Sequence, residues 1–316
     1  MFKSQKEPIL FLLWKRPDLS EKVFDAIRAY KPSKLYLACD GTDLSDPILT
    51  SRIHDTRTMI LSAIDWDCIV RANFNFQNLG CKNAVSQALN WFFANENRGI
   101  ILEDDCLPTD QFFEFASMML EKYQESSRIG CITGVNFQNG LQHGTETYYL
   151  SKYNHCWGWA SWRRSWQFYD SSIKFWPEYR NTAAWKKMND YNEDEISYWL
   201  NIFDSVYENK IDSWALPWLL SCWKEELLTI TPNQNLVSNI GFGRSSTHTK
   251  DRFSKFANMK VNYLDLTLDE TKGQTVVLEP CIEADRYTFE NHFTSNTWIS
   301  RFKRKVKRLL GIQVDK

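Results

Sequence analysis

The sequence predicts an α/β fold in which helices cover both faces of a mostly parallel sheet. Two observations carry this prediction. Through the first half of the chain, short apolar runs typical of buried strands alternate with amphipathic helix patterns. One apolar run, Ile100–Leu102, is followed at once by three adjacent carboxylates, which an apolar interior cannot hold unpaired. That strand must therefore emerge at the edge of a sheet, where open α/β sheets bind their ligands.

The individual elements follow from the spacing of apolar residues and from the turn residues between them. We predict strands at Ile9–Leu13, Leu35–Ala38, Cys68–Ala72, Ile100–Leu102 and Ile129–Val135. Each of the first four strands is followed by a predicted helix, marked by Val23–Tyr30, Asp46–Ile64, Val85–Phe92 and Phe112–Met119. Glu195–Tyr207 also has the pattern of a helix.

The second half of the chain differs from the first in composition. Ten of the 14 Trp residues lie between residues 157 and 223, and the apolar periodicity is weaker there. No linker rich in Pro, Gly or Ser separates the two halves. We therefore expect one domain over residues 1–294, with halves of about 1–135 and 136–294, followed by a basic amphipathic tail at 295–316.

Composition excludes several classes of protein. The formal net charge of −1 gives no general affinity for nucleic acid. The apolar run Ile9–Leu13 is too short for an export signal or a membrane span, so a cytoplasmic location is expected. In that compartment the eight Cys residues would stay reduced. They form no Cys-x-x-Cys pair, so a structural zinc site is not expected.

Polar residues follow several of the predicted strands. The fourth strand is followed by Glu103, Asp104 and Asp105, the second ends in Asp40, and Arg16 follows the first. Lys82 begins the helix after the Gly80 turn. Singly, these are an acidic turn, an Asp-Gly turn, an exposed Arg and an exposed Lys. Together, at one sheet edge, they suit a nucleotide diphosphate and a hard cation such as Mg²⁺ or Mn²⁺.

The ordered segments resemble the nucleotide-sugar-dependent glycosyltransferases of the GT-A fold, whose hallmark is an acidic motif of the Asp-x-Asp type after a central strand. Within that family the likeness is to N-acetylglucosaminyltransferase I and to bacterial family-2-like enzymes. It covers most of residues 8 to about 256. The segments that carry it are PILFLLWKRPD, LYLACDG, NLGCKNAVSQALNWFF, IILEDDCLPTDQFFEF, CWGWASWRRSW and GFGRSSTH. The sequence lacks the N-terminal membrane anchor of the Golgi enzyme, so Golgi residence and N-glycan substrates are not expected.

The resemblance implies a Rossmann-like donor half and a Trp-rich acceptor half, and it implies roles for individual residues. Asp105 would bind the metal ion that bridges the donor diphosphate. Asp104 would contact the ribose or a metal-bound water, and Glu103 the donor sugar or the metal shell. Asp40 would contact uracil and ribose, and Arg16 the region of the base. Lys82 is a candidate phosphate contact because of its place at the helix start, and not through the resemblance; the alternative is an exposed lysine.

Further roles fall in the second half. Asp212, in KIDSWALPW, resembles the acid that deprotonates the acceptor hydroxyl, although it could instead cap a helix at Trp214–Cys222. Its rivals Glu193, Asp194 and Glu195 have the pattern of a solvated helix start. His248 would be a further metal ligand, or else a loop His without a partner. Arg244, next to the Gly241 and Gly243 pair, could neutralise the leaving diphosphate on a loop that closes over the donor.

The function expected from these residues is a metal-dependent, inverting hexosyltransferase. It would move a sugar from a nucleotide sugar, expected to be UDP-linked, to a glycan or lipid-linked acceptor in bacterial surface-glycan assembly. Trp157 and Trp159 could form a platform for a sugar face, although core packing is the more frequent place for Trp residues such as these. One alternative is a sugar nucleotidyltransferase, although LLWKRPD is not the Gly-rich phosphate loop that such enzymes carry. The other is a non-catalytic carbohydrate-binding or membrane-docking protein of the same fold.

The tail predicts a peripheral membrane contact. Trp298, Phe302, Val306 and Leu309 fall on one helical stripe, and six basic residues flank the apolar ones between residues 298 and 310. Such a helix can lie in the interface of an anionic membrane, here the inner face of the cell membrane. The alternative is a basic helix packed on the protein's own body.

Overall fold

A computed structural model of the chain describes residues 6–42, 45–144, 146–243, 254–266 and 277–294. Ten strands are found in these ranges: β1 Ile9–Leu13, β2 Lys34–Cys39, β3 Ile69–Phe74, β4 Arg98–Glu103, β5 Cys106–Pro108, β6 Ile129–Thr133, β7 Tyr148–Ser151, β8 Trp159–Trp162, β9 Leu228–Pro232 and β10 Val237–Asn239. The longer helices are α1 Pro17–Tyr30, α2 Pro47–Ser62, α3 Cys81–Asn95, α4 Asp110–Lys122, α8 Glu193–Tyr207 and α9 Ala215–Lys224. The shorter ones are α5 Arg163–Trp166, α6 Trp176–Tyr179, α7 Ala183–Met188 and α10 Ile282–Thr288, which continues into a π-helical turn at Phe289–Phe293.

Local sequence signals set the ends of several helices. Pro17 begins α1, where a missing N–H costs no helical hydrogen bond. Asp46 and Thr109 cap α2 and α4 by accepting hydrogen bonds from the backbone N–H groups of Leu49 and Phe112. These signals lie beside the helices that they bound, so the sequence alone predicted α1, α2 and α4 closely.

Eight strands form one mixed sheet in the order β3-β2-β1-β4-β8-β6-β9-β7. Six strands run in one direction, and only β7 and β8 are antiparallel to their neighbours. The prediction of an α/β fold with a mostly parallel sheet is confirmed. Strand β8 was not predicted, because WASW is too short to show a period. It lies between β4 and β6, so strands from both halves of the chain share the sheet.

The core consists of three apolar clusters, two on the faces of the sheet and one among the helices of the second half. One face of β1, β2 and β4 packs against α1, α2 and α4, and the other face packs against α3 and α9. A third cluster is built mainly of aromatic residues from α6 to α9, and its largest members are Trp176, Trp185, Trp199 and Trp223. Most Trp residues of the second half are therefore core residues. Trp159 is fully buried, so core packing is confirmed for it and the sugar platform is excluded.

Two further findings concern the described ranges as a whole. All eight cysteines lie in them and none is in a disulfide. Among the helices seen there, none combines the length and the apolar character that crossing a membrane requires.

Candidate functional site

The carboxyl ends of β2, β1 and β4 lie side by side, because these three strands are parallel neighbours. The residues that follow them therefore meet at one edge of the sheet. They line a first cavity of about 330 Å³, whose wall includes Arg16, Asp40, Glu103, Asp104 and Asp212. Amide side chains of Asn73, Asn75, Asn78 and Gln87 complete this wall. No pattern in the sequence indicated these four residues: Asn73 lies in β3, Asn75 and Asn78 in the loop after it, and Gln87 on α3.

Arg16 holds the acidic motif together. Its Nε donates a hydrogen bond to Asp104 Oδ2 at 3.2 Å, and its Nη2 pairs with the other oxygen of the same carboxylate. Its Nη1 lies 3.0 Å from Asp105 Oδ2. The side chains of Arg16, Asp104 and Asp105 are only 18%, 5% and 12% exposed. One guanidinium thus compensates two largely buried carboxylates, a pairing across 88 residues that the sequence did not reveal.

Glu103 and Asp104, at the end of β4, lie in an environment that disfavours their charged forms. Burial raises the pKa of Glu103, and the neighbouring carboxylates of Asp105 and Asp104 raise it further. Burial also raises the pKa of Asp104, although the charge of Arg16 opposes the shift. Such a cluster favours binding of a cation, because a cation relieves both the burial cost and the mutual repulsion.

Asp40 positions the start of α3. Its carboxylate accepts hydrogen bonds from the backbone N–H groups of Leu79 and Gly80 at 3.0 to 3.1 Å, and from Gly41 N–H and the Asn75 side chain. Gly80 has a φ of 78°, which favours glycine, and it precedes the first helical residue. Gly80 and Cys81 line the first cavity, so the N-terminal end of α3 faces it. Because Gly80 has no side chain to cap the helix, the N–H groups of the first turn are available to an anion. Contact of Asp40 with a nucleoside stays a prediction.

A second cavity of about 320 Å³ adjoins the first. Arg16, Cys81 and Glu103 line both cavities, so these three residues mark their junction. The rest of the wall comes from the chain after β7, the start of α9, the end of β10 and the π-helical turn: Asn154, His155, Cys156, Trp157, Ser213, Trp214, Ala215, Leu216, Leu219, Asn239 and Phe293, with Asp105 beside the junction. Of these, sequence reasoning singled out only Asp105 and Trp157, since the topology alone brings the other segments together.

Asp212 lies in the loop before α9 and lines the first cavity, while the next two residues line the second. It does not cap α9, since Ser213 Oγ accepts the hydrogen bond from Leu216 N–H at 3.3 Å. Burial, then the charges of Glu103 and Asp212, raise the pKa of the Cys81 thiol to about 12. Asp212 and Glu103 therefore both lie near Cys81, at the junction of the two cavities.

The three rivals for the base role, Glu193, Asp194 and Glu195, form the first turn of α8, as predicted, but Glu195 is not solvated. Glu195 is 4% exposed, and its carboxylate pairs with Lys152 Nζ at 2.8 Å and accepts a hydrogen bond from the Tyr153 hydroxyl. The expectation that Glu195 is a solvated residue is wrong, because the pairing with Lys152 compensates its charge in the interior. Glu195 is not among the residues that line the two cavities.

The remaining candidates are placed as follows. Lys82, the second residue of α3, is half-buried and is not among the residues that line either cavity. Gly241 packs against Asp105, since a Cβ at this position would lie 2.3 Å from Asp105 Oδ2. Arg244, His248 and the tail at 295–316 lie outside the described residues, so their predicted roles stay predictions.

The carboxylates can be compared with what a divalent cation needs. In the ranges that the structure covers, no group of three or more His, Cys, Asp or Glu residues is placed to hold a metal ion. Mg²⁺, however, is commonly bound by one or two carboxylates together with water and substrate phosphates. Asp105, whose side chain lines the second cavity beside the junction, fits that kind of site. The donor set suits a cation shared with a bound diphosphate rather than a closed protein site.

The fold and the site define an α/β protein with a Rossmann-like mixed sheet and a divided cavity at the carboxyl ends of its parallel strands. No protein-family model matches the chain, and no curated protein matches it. Among solved structures, it is similar to the crystal structure of HddC from Yersinia pseudotuberculosis, with 9% identity and a TM-score of 0.32. That likeness covers 50% of this chain and 77% of HddC, and no function is transferred from it.

Proposed function

We propose that this protein is a metal-dependent, inverting glycosyltransferase of the GT-A type that uses a nucleotide sugar. The resemblance to that family suggests that the nucleotide is UDP. The observation that carries the proposal is the divided cavity, whose two parts meet at Glu103, Arg16 and Cys81. A transferase needs two substrate sites that share the reacting centre. The resemblance of the Glu-Asp-Asp segment to the family motif assigns the first cavity to the donor and the second to the acceptor.

The groups around the first cavity suit a nucleoside diphosphate. The N-terminal end of α3 offers backbone N–H groups to the phosphates. Arg16 at the junction is paired with Asp104 and Asp105 and holds the acidic motif that would carry the cation. The amides of Asn73 and Gln87 could form hydrogen bonds with a base or ribose. A Mg²⁺ or Mn²⁺ ion held by Asp105, with Glu103 and Asp104 in its surroundings, would offset charge on the leaving diphosphate.

The reaction itself would be a single in-line displacement at the anomeric carbon. The acceptor hydroxyl oxygen forms the new bond to this carbon, the bond to the phosphate oxygen breaks, and the nucleoside diphosphate leaves. Asp212 takes the proton of the acceptor hydroxyl, because its loop lies where the donor and acceptor cavities adjoin. A glycan or lipid-linked acceptor, and a place at the inner face of a bacterial membrane, are proposed from the resemblance and from the composition of the tail.

The test has two stages. A set of nucleotide sugars is first screened for thermal stabilisation of the full chain with and without Mn²⁺, and release of the nucleoside diphosphate is then measured for those that bind. Asp105→Ala and the milder Asp105→Asn should lose the Mn²⁺-dependent part of both signals. Asp110→Ala is the matched control, since Asp110 is exposed and lies in the first turn of α4.

The outcomes separate the candidate functions. Near-wild-type release by Asp105→Ala at saturating Mn²⁺ would refute the metal assignment. Binding of nucleotide sugars without any release of nucleotide, with or without added sugars as acceptors, would instead favour the non-catalytic binding protein. A nucleotidyltransferase would form a nucleotide sugar from a sugar phosphate and a nucleoside triphosphate, which the same assay can detect as pyrophosphate.

A further inference from the structure

The second cavity has a wall of aromatic rings held in place from behind. Trp157 is half-buried and packs edge-to-face on Phe137 and Phe242, with ring centroids 5.2 and 5.7 Å away. Trp214 is stacked on Trp159 at 5.8 Å. Rings that are already fixed lose little conformational freedom when a ligand covers them. The volume of about 320 Å³ lies within the range of about 300–1,000 Å³ common for small-molecule sites.

The polar groups of this wall include one that lacks a partner. Asn154 is 7% exposed, and its Nδ2 lies 3.4 Å from Cys222 Sγ. Its Oδ1 is buried and accepts no hydrogen bond from the described residues. A buried carbonyl oxygen without a donor is costly, so a ligand hydroxyl that reached it would be favoured.

The charge of the wall disfavours anions. Among the lining residues that the structure describes, Arg16 is the only cation, and its guanidinium is already paired with Asp104 and Asp105. Glu103 and Asp105 are the acids of the wall. Burial lowers the pKa of His155 well below its usual range, so its imidazole is neutral. Without a bound divalent ion, a phosphate or carboxylate in this cavity would therefore meet like charge, with no free cation among the lining residues that the structure describes.

We infer that the second cavity selects an uncharged sugar, whose apolar face stacks on Trp157 and whose hydroxyl donates to Asn154 Oδ1. The electropositive C–H groups of a pyranose face complement the negative face of an indole ring. The inference rests on the proposed function in one respect, since the sugar held here would be the acceptor. It names the class of that acceptor, a neutral glycoside rather than a phosphorylated or acidic one.

The experiment measures sugar binding directly and uses no donor. Saturation-transfer difference NMR on the full chain compares methyl glycosides of neutral hexoses with methyl glucuronoside and with hexose 6-phosphates. Neutral glycosides should bind, and acidic ones should bind at least 10-fold more weakly. Trp157→Ala should weaken the neutral ligand at least 10-fold, and Trp157→Phe should lose less because it keeps an aromatic face.

Trp66→Ala is the matched control, since Trp66 is also half-buried but lies away from both cavities and donates its Nε1–H to Pro32 O. It should leave sugar binding unchanged. Circular dichroism and thermal melting show whether each variant is folded. If Trp157→Ala does not fold, sugar binding by Trp157→Phe is the test. Three results would overturn the inference: equal binding by wild type and the folded Trp157 variants, binding of acidic sugars as tight as that of neutral ones, or no binding of any neutral glycoside. Neutral sugar binding without nucleotide release would refute the proposed transfer but leave this inference standing.

Discussion

Arg16→Gln tests whether the acidic motif depends on a single compensating charge. The substitution keeps a hydrogen-bonding side chain but removes the charge that faces Asp104 and Asp105. Breaking a buried ion pair by removing one partner costs about 3–5 kcal/mol, whereas an exposed pair is worth about 0–1 kcal/mol. Because the Arg16 side chain is 18% exposed, we expect the lower end, about 3 kcal/mol of unfolding free energy. With an unfolding entropy of about 2.1 cal/mol/K per residue, a chain of 316 residues loses about 1.5 °C per kcal/mol, so the melting temperature should fall by about 4–5 °C.

The assay is urea denaturation at neutral pH, with Arg28→Gln as the matched control. Arg28 pairs with Asp65 in the same Arg–Asp chemistry, but the two side chains are 45% and 51% exposed, so its loss should cost much less stability than the loss of Arg16. Mn²⁺ should restore more stability to Arg16→Gln than it adds to the wild type, since a bound cation replaces the missing charge. Equal destabilisation by the two Arg variants would refute the claim that Arg16 compensates the buried carboxylates. If Mn²⁺ does not stabilise Arg16→Gln more than the wild type, the claim that a cation binds at these carboxylates is refuted.

Three further predictions concern other parts of the chain. Asp212→Asn should keep donor affinity but lower turnover by about 100-fold, as expected for loss of a general base. Glu193→Gln, at the start of α8, should leave turnover nearly unchanged in the same kinetic assay. If Glu193→Gln lowers turnover and Asp212→Asn does not, Asp212 is not the base. Burial raises the pKa of Asp285 to about 7, so the folded state holds this proton where the unfolded chain has lost it, and its contribution to stability falls as pH rises from about 4 to about 7. Asp285→Asn should therefore flatten the pH dependence of unfolding measured in urea at pH 5 and 7.5, and an unchanged slope would contradict this. Truncation after Asn296 should abolish co-sedimentation with anionic vesicles at about 0.1 M salt, where surface charge is only partly screened, and equal recovery of both chains would remove the membrane prediction.

The sequence predicted the first four strands and the helices between them because their signals are local. Leu10, Phe11 and Leu12 form a continuous apolar run, and Pro17 and Thr109 mark helix starts within a few residues of the helices themselves. The same locality predicted that Arg16, Asp40 and the acids after β4 share one edge, because parallel neighbouring strands end together.

What the sequence could not predict depends on distant partners. The residues around Arg16 and those around Asp104 and Asp105 do not indicate that these side chains pair. Glu195 was expected to be solvated because it belongs to a run of three acids, but it is buried and paired with Lys152. The aromatic wall around Trp157 combines segments from both ends of the second half, and no periodic pattern links them.

The place of β8 in the sheet has a consequence for how the chain can be made and divided. Strand β4 carries the acidic motif, and its residues Arg98–Ile101 pair with Trp159–Trp162 of β8, about 60 residues further along. Until the chain has been synthesised past residue 162, that side of β4 is an open edge with unpaired N–H and C=O groups, the kind of surface at which strands from other chains add. A fragment ending near residue 135 would keep this edge permanently. The half at about 1–135 should therefore aggregate when it is expressed alone, and a split protein or a chimaera built from this fold should be joined beyond β8.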